Sequence, residues 1–482
     1  QDILFNPILS SDKGIVYGAA YNQYFFRGDI SATGSYLHDS DSKENRGNIF
    51  AKARYEVNDY WVANADINYA SDNAYLKDLS LPKSDDTWLT TRAGLQGYDN
   101  RNYSALEAYY YKILSYDLRY ANSPTVMPLF NYENYSDTNR YGAYNKHTIS
   151  MASVYHEEGN SSQRATMINS WNLPYTSPYG EKYKLTASLK SDLYYIDEYA
   201  YNDNGFNHMY DGSVARIFPQ VGLEWRLPFV RTAEESRQIV EPIIVAAFAP
   251  SQSNKAEKIP NEDSQDIELN DTNILNLDRY SGYDRNDTGS RVSYGFNWSS
   301  YGNILGRTSA LLAQSYEFSQ NESFAEADGQ NGSFTDYVGR VYASPNEYFD
   351  MNYRFKLDKD DLSITYSELS SSFGPKILRM YIGYIFFPAN DTSSIKDAER
   401  EELFTSLRTE LTKNWSATVY NRQNLAQNGG SLEKGAFISY EDECTKIIFN
   451  IQKDNSNDPN YKGDFKFGAT FYLKTLGGVG TK

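Results

Sequence analysis

A large, closed, antiparallel β-barrel that crosses a membrane is the fold class this sequence predicts, and three observations lead there. Apolar and polar residues alternate in short stretches that recur about every 20 residues, the spacing of ~10-residue strands plus turns. Aromatic residues make up 15% of the chain, 44 of them Tyr, although mean hydropathy is only −0.66. The longest apolar run, 243–249, is far short of the ~20 residues a transmembrane helix needs. A helical membrane protein is thereby excluded. A barrel is not, because strands with one apolar and one wet face average out as polar, and tyrosines collect at membrane–water interfaces. Composition by itself also admits a secreted Tyr/Asn-rich solenoid or sandwich.

The elements follow in order. Residues 1–26 hold two plausible strands, with Pro7 inside the first. Proline lacks a donor N–H and belongs at an edge or a weak pairing. In 48–57, Ala51, Ala53, Tyr55 and Val57 oppose Lys52, Arg54 and Glu56; in a barrel the charged face would line the lumen. Similar alternation marks 61–69, 104–113, 148–155, 163–173, 182–193 and 221–227. It resumes at 309–318, 336–342, 348–357, 362–369, 377–386, 403–411, 415–421, 435–440 and 445–452. In 465–474, Phe465, Phe467, Ala469, Phe471 and Leu473 oppose Lys466, Gly468, Thr470 and Lys474. Residues 393–403 are the best candidate for a short helix, or else a loop. No linker or compositional break divides the chain, so one sheet is expected. Closing it removes the long aromatic edges that an open sheet would expose.

The net charge of −17 argues against nucleic acid, which requires a basic face. Acids gather in turn-rich segments (Glu257, Glu262, Asp263, Asp266 and Glu268; 358–361; 397–402), where the usual meaning is a solvated loop. Only four histidines occur, with no paired-ligand spacing; His156, beside Glu157 and Glu158, reads as a loop residue. There is no nucleophile elbow, and the tail GGVGTK lacks the spacing of a phosphate loop. The Asn-x-Ser/Thr triplets at Asn134 and Asn321 are chance in so polar a chain. No enzyme, metal or cofactor is expected. No charged-then-apolar leader opens the sequence, so the leader has been removed or the chain is a fragment. Cys444 is the lone cysteine: inert and buried, or paired outside this chain.

Residues 259–298 are the most distinctive stretch. To about Leu277 they are acidic and without period, a long loop. From Arg291 to Trp298, Val292, Tyr294, Phe296 and Trp298 alternate with small polar residues, a strand. Between lies RYSGYDR, with Arg279, Gly282, Asp284 and Arg285. One reading is a turn, with Gly282 at positive φ and Asp284 bonding nearby backbone.

The wording IPNEDS…RYSGYDR…GSRVSYG, the segment YEDECTKIIFNIQK at 440–453 and the final FKFGATFYLKTLGG at 465–478 resemble, in order, the barrel of the LptD family. That resemblance implies about 26 strands, against roughly 20 to 24 counted from alternation alone. It implies a bacterial outer-membrane protein that inserts lipopolysaccharide into the outer leaflet. Release would run through a lateral gate between first and last strands, at Leu4, Pro7 and Leu9 on one side and Phe467 and Phe471 on the other. The family's second gate proline falls at about Ala20, a departure that moves the burden onto Pro7. An LptE-like lipoprotein plug in the lumen is implied, as is a periplasmic lipopolysaccharide-transport bridge, reached through an N-terminal jellyroll domain missing from this chain. Residues 1–482 would then be the barrel alone. Cys444 matches a family cysteine that forms a disulfide to that domain. Arg279, Gly282, Asp284 and Arg285 fall on a family loop near the lumen, where they anchor the loop or touch plug or substrate. A general porin or receptor barrel is the alternative.

Overall fold

The computed structural model describes residues 2–481 apart from 11–12, 80, 85, 115–122, 158, 204–205, 252–253, 265–268, 304, 319–333, 389–399, 427–428, 456, 459–460, 463–464 and 474–476. It is one antiparallel sheet of 26 strand segments, beside a two-stranded hairpin of two-residue strands. Each strand pairs with its neighbours in chain order. Two segments, Phe206–Arg226 and Phe229–Ala233, pair end to end with the same strand, Ser236–Phe248, so the sheet has one rung fewer than it has segments. Among the described residues the one α-helix is the single turn Tyr75–Asp78. The candidate helix at 393–403 lies outside the described residues up to 399, and Arg400–Glu410 is a strand.

The two faces of the sheet invert the pattern of a water-soluble protein. On Lys182–Asp203, Lys190, Asp192 and Tyr194 are buried while Leu189, Leu193 and Tyr195 are exposed. On Phe206–Arg226, Arg216 and Gln220 are buried while Ile217, Val221 and Leu223 are exposed. Apolar side chains facing out and charged ones facing in is the arrangement of a barrel in lipid. The Lys52/Arg54 face indeed lines an inner cavity. Outward aromatics form two belts. Phe25, Phe26, Tyr55, Tyr60, Tyr175 and Tyr179 ring one end, and Tyr17, Tyr36, Tyr69, Tyr110, Tyr155 and Tyr195 the other. The amphipathic tyrosine rings among them mark the two membrane interfaces.

The ends differ. Tight turns such as 26–27, 100–101, 347–348 and 442–444 close one end, whereas the strand ends at Ala70, Ile113, Phe248, Glu317 and Phe387, each followed by a long interval before the next strand, lie at the other. In outer-membrane barrels short turns are periplasmic and long loops extracellular. The N-terminal strand starts at the short-turn end, since Asp2 pairs with Asn22 close to the 26–27 turn.

Candidate functional site

The sheet meets itself at a seam. The first strand, Asp2–Ser10, makes its ladder to Gly14–Phe25, pairing Leu4 with Ala20, Pro7 with Tyr17 and Leu9 with Ile15. At the other edge, Phe465–Leu473 pairs on one side with Thr445–Asp454 and on the other with a short final strand, Gly477–Thr481. That final strand lies against the first, and among the described residues no backbone ladder joins them. Phe467 and Phe471 are therefore one strand back from the seam, with Phe471 opposite Val479. The GGVGTK tail supplies the extra strand; a Gly-rich five-residue segment carries too little alternation to be read as one. Ile3, Phe5 and Phe467 are exposed on this part of the wall.

Cys444 sits in the turn between Gly430–Glu441 and Thr445–Asp454, exposed and free. Its backbone N–H donates to Asp442 Oδ1 at 2.9 Å. The turn is at the short-turn end, where the chain's N-terminal strand also begins.

The second constellation is the 249–290 connection, which contains no strand among its described residues and folds back onto the polar inner face. Asp284 is its anchor. Arg164 Nη1 reaches Asp284 Oδ1 at 2.7 Å and Asp263 Oδ2 at 2.5 Å. Tyr194 OH donates to Asp284 Oδ1 at 3.0 Å, and the backbone N–H groups of Glu262 and Asp263 donate to Oδ2 at 2.8 and 3.1 Å. Arg216, paired with Asp192, donates to the carbonyls of Tyr283 and Asp284, and Lys190 donates to Tyr283 O and Asn286 Oδ1. Burial pushes the Asp284 carboxyl up. Burial also acts on Asp263, but there the Arg164 charge and the N–H donors of Tyr283 and Asp284 outweigh it and hold the carboxyl below its ordinary value.

A second knot lies deeper. Arg279 grips Asp287 with Nε and Nη2 at 2.8 and 2.9 Å, and Nη1 reaches Glu317 at 3.0 Å. Arg291 Nη2 lies 2.8 Å from the same Asp287 and donates to Leu277 O at 2.7 Å. Burial raises the Asp287 carboxyl, but two guanidiniums more than compensate and hold it below the usual range. Arg285 donates to Ile259 O at 3.0 Å, and Arg354 to Asp271 at 2.7 Å on the far wall. The loop thus bridges inner-face side chains from Ser161–Thr176 round to Phe349–Leu357.

Glycine permits two of these close approaches. A Cβ on Gly282 would lie 2.4 Å from Asp263 O, and one on Gly222 would lie 2.1 Å from a Leu277 methyl. Gly282 is needed for space rather than for a positive φ, correcting the turn expected from sequence. Glu262 and Asp263 correct a second expectation. Expected to be solvated, they are docked, Glu262 accepting from Asn160 Nδ2 at 2.6 Å; Asp266 and Glu268 lie outside the described residues. His156 takes part only as a neighbour, Nε2 lying 3.7 Å from Glu262. Sequence reasoning named the loop's Arg279, Asp284 and Arg285 but missed their receivers, Arg164, Lys190, Arg216 and Glu317. Each is a single charge on the wet face of a strand, indistinguishable in sequence from any other lumen charge.

The chain matches the family model described as LPS transport system D, LptD, over residues 44–415. It belongs to the LptD family. It is 25% identical over 347 residues to the LPS-assembly protein LptD of Acinetobacter baylyi, an alignment covering 66% of this chain and 40% of that protein. The corresponding protein of Sodalis glossinidius is 24% identical over 303 residues, 59% and 37% of the two chains. That of Xanthomonas campestris is 31% identical over 80 residues, 16% and 10%. The chain thus spans about 40% or less of the length of these LptD relatives. As an LptD barrel it is an outer-membrane protein. Among solved structures, the ferric-catecholate import receptor Fiu of E. coli covers 98% of this chain at 9% identity and a TM-score of 0.38, too weak a likeness to carry any argument.

Proposed function

We propose that this LptD chain is the single-domain barrel through which lipopolysaccharide reaches the outer leaflet, leaving by a lateral gate at the seam between the first strand and the C-terminal edge. The observation that carries the reading is the seam itself. A closed barrel elsewhere laddered strand by strand lacks, among the described residues, a ladder between Asp2–Ser10 and Gly477–Thr481. Each absent main-chain bond removes about 0.5–1.5 kcal/mol net from closure, so this is the cheapest line along which to part the wall. Pro7, without an N–H, stands in one lip with Leu4 and Leu9; Phe467 and Phe471 stand one strand behind the other. The glycan passes the lumen while acyl chains stay in lipid, and no bond is made or broken.

The partners follow from the same reading: an LptE-like lipoprotein in the lumen, and a periplasmic bridge reached through an N-terminal domain. The position of Cys444 supports a disulfide to such a domain, being exposed at the short-turn end where the first strand begins.

The test is photo-crosslinking in cells of the full-length protein, with probes at Leu4, Leu9, Phe467 and Val479. Labelled lipopolysaccharide trapped at these positions, and not at the outward mid-wall position Ile217, is the expected result. Efficient probe incorporation without trapped lipid would favour a porin or receptor barrel instead.

A further inference from the structure

The inner wall formed by Trp88–Asp99 and Asn102–Ile113 departs from the polar lining expected of a lumen. Tyr103, Tyr109 and Tyr111 share one face of their strand with the buried Glu107, while Leu106 and Tyr110 point the other way, to lipid. Tyr98 lies opposite Tyr103, with ring centroids 5.0 Å apart, and Trp88 lies opposite Ile113 on the same inner face. Trp88 is 52% exposed. These rings are therefore neither lipid anchors nor core filling.

They line three cavities in sequence. At the short-turn mouth a cavity of about 530 Å³ is walled by Tyr98, Tyr103, Tyr135 and Tyr144. Further along, cavities of about 830 and 690 Å³ share Trp88 and Tyr109. From Tyr103 to Tyr111 the strand rises roughly 27 Å, about the thickness of the apolar band of an outer-membrane barrel. The Tyr109 and Tyr111 rings are parallel to within 8°, with centroids 6.2 Å apart. Planar polar groups stand between and beside the rings. Arg92 lies over Tyr109 and pairs with Glu107, to which Gln96 also donates; Asn64, Asn68 and Asn131 line the cavities.

We propose that this wall is an oligosaccharide track. Aromatic faces accept the apolar C–H faces of sugar rings, and forked amide, carboxylate and guanidinium groups bond neighbouring hydroxyls. A wide, wet, aromatic surface of this length suits a ligand that is apolar on its ring faces and polar on its rims. A lipid tail would leave the amides and charges unpaired, and a small ion would not use the rings. The inference rests on the export reading above and names where, within the lumen, the saccharide travels.

The test uses the full-length protein purified in detergent and the oligosaccharide released by mild acid from the lipopolysaccharide of the source bacterium. Titration calorimetry should show saturable binding that weakens roughly tenfold or more in the W88A/Y109A double variant. The lipid-facing control Y110A should bind as the parent does, with heat-modifiable gel mobility confirming that each variant is folded. No saturable binding, or equal affinity in the double variant, overturns the track. In cells, photo-probes at Tyr109 and Tyr111 should trap saccharide; trapping a protein instead would make this wall a partner's docking face and also overturn it. Lipid trapped at the seam but no saccharide at the track would fail this inference alone. No lipid at the seam would fail the export reading.

Discussion

The lumen loop and the seam use the same chain in opposite ways. Around Asp284 and Asp287 nearly every buried charge has a partner, and the loop ties together inner-face side chains from Ser161–Thr176 to Phe349–Leu357. At the seam the two edge strands touch without a described ladder, one lip carries a proline, and Ile3 and Phe5 lie exposed. The loop's ion pairs bring little net stability relative to a well-packed apolar contact, but each is costly to break, because the partner left behind is a buried bare charge. The seam costs little to open because few bonds are lost. Under the gate proposed above, cohesion would be concentrated in the loop-braced wall and least at the seam.

Removing Asp287 is the severest way to break this contrast. D287A leaves Arg279 and Arg291, both essentially inaccessible, facing each other across an empty position. A loss of about 3–5 kcal/mol is expected in denaturant unfolding from detergent micelles, together with loss of heat-modifiable mobility. An effect below about 1 kcal/mol would mean the loop is not held by this knot.

Gly282→Ala comes next. Its Cβ meets Asp263 backbone 2.4 Å away, so the Asp263–Asp284 crossing must separate. A loss of about 1–3 kcal/mol is expected, with faster proteolysis within 249–290. Unchanged cleavage would show that the crossing tolerates a methyl.

Acid sharpens the comparison more gently. Asp287 is held below the ordinary carboxylate range, so its stabilisation is fully present above about pH 4 and is lost as pH falls through its folded-state value. The stability gap between the parent and D287N should be widest above that pH and narrow below it. Asp284 and Glu262, raised by burial, titrate with the opposite sign, so the gap is the quantity to follow rather than the total. A gap constant from pH 7 to pH 3 would contradict this account.

Pro7→Ala should do least to stability, shifting unfolding by no more than about 1 kcal/mol, since it restores one N–H at an edge. Its effect should appear in lipid release, slowed in proportion to any bond the new N–H makes across the seam. A large stability change with unaltered release would place Pro7 in ordinary strand packing.

Much of the fold was legible because a membrane barrel is written locally. Alternation in 48–57, 163–173 and 465–474 follows from side chains pointing to opposite faces, and the structure keeps those strands with ends moved by a few residues. Gly28–His38 and Trp88–Asp99 were not legible because glycines interrupt their alternation, and Thr125–Tyr135 because a register shift between Val126 and Leu129 breaks its period. The loop's charged residues were visible as candidates, but their partners lie far along the chain, Arg164 being 120 residues from Asp284. By itself, then, the sequence determined the class of fold, the wet and lipid faces, the aromatic belts and the family, because these depend on neighbouring residues and on composition. Only the tertiary structure decided that a loop rich in acids is docked rather than solvated. It alone showed that Gly282 is kept for space, that a final strand stands between Phe467 and the seam, and that aromatic rings climb one side of the lumen. Those depend on which distant strands the closed sheet brings face to face, and closure is a property of the whole ladder that no single stretch encodes.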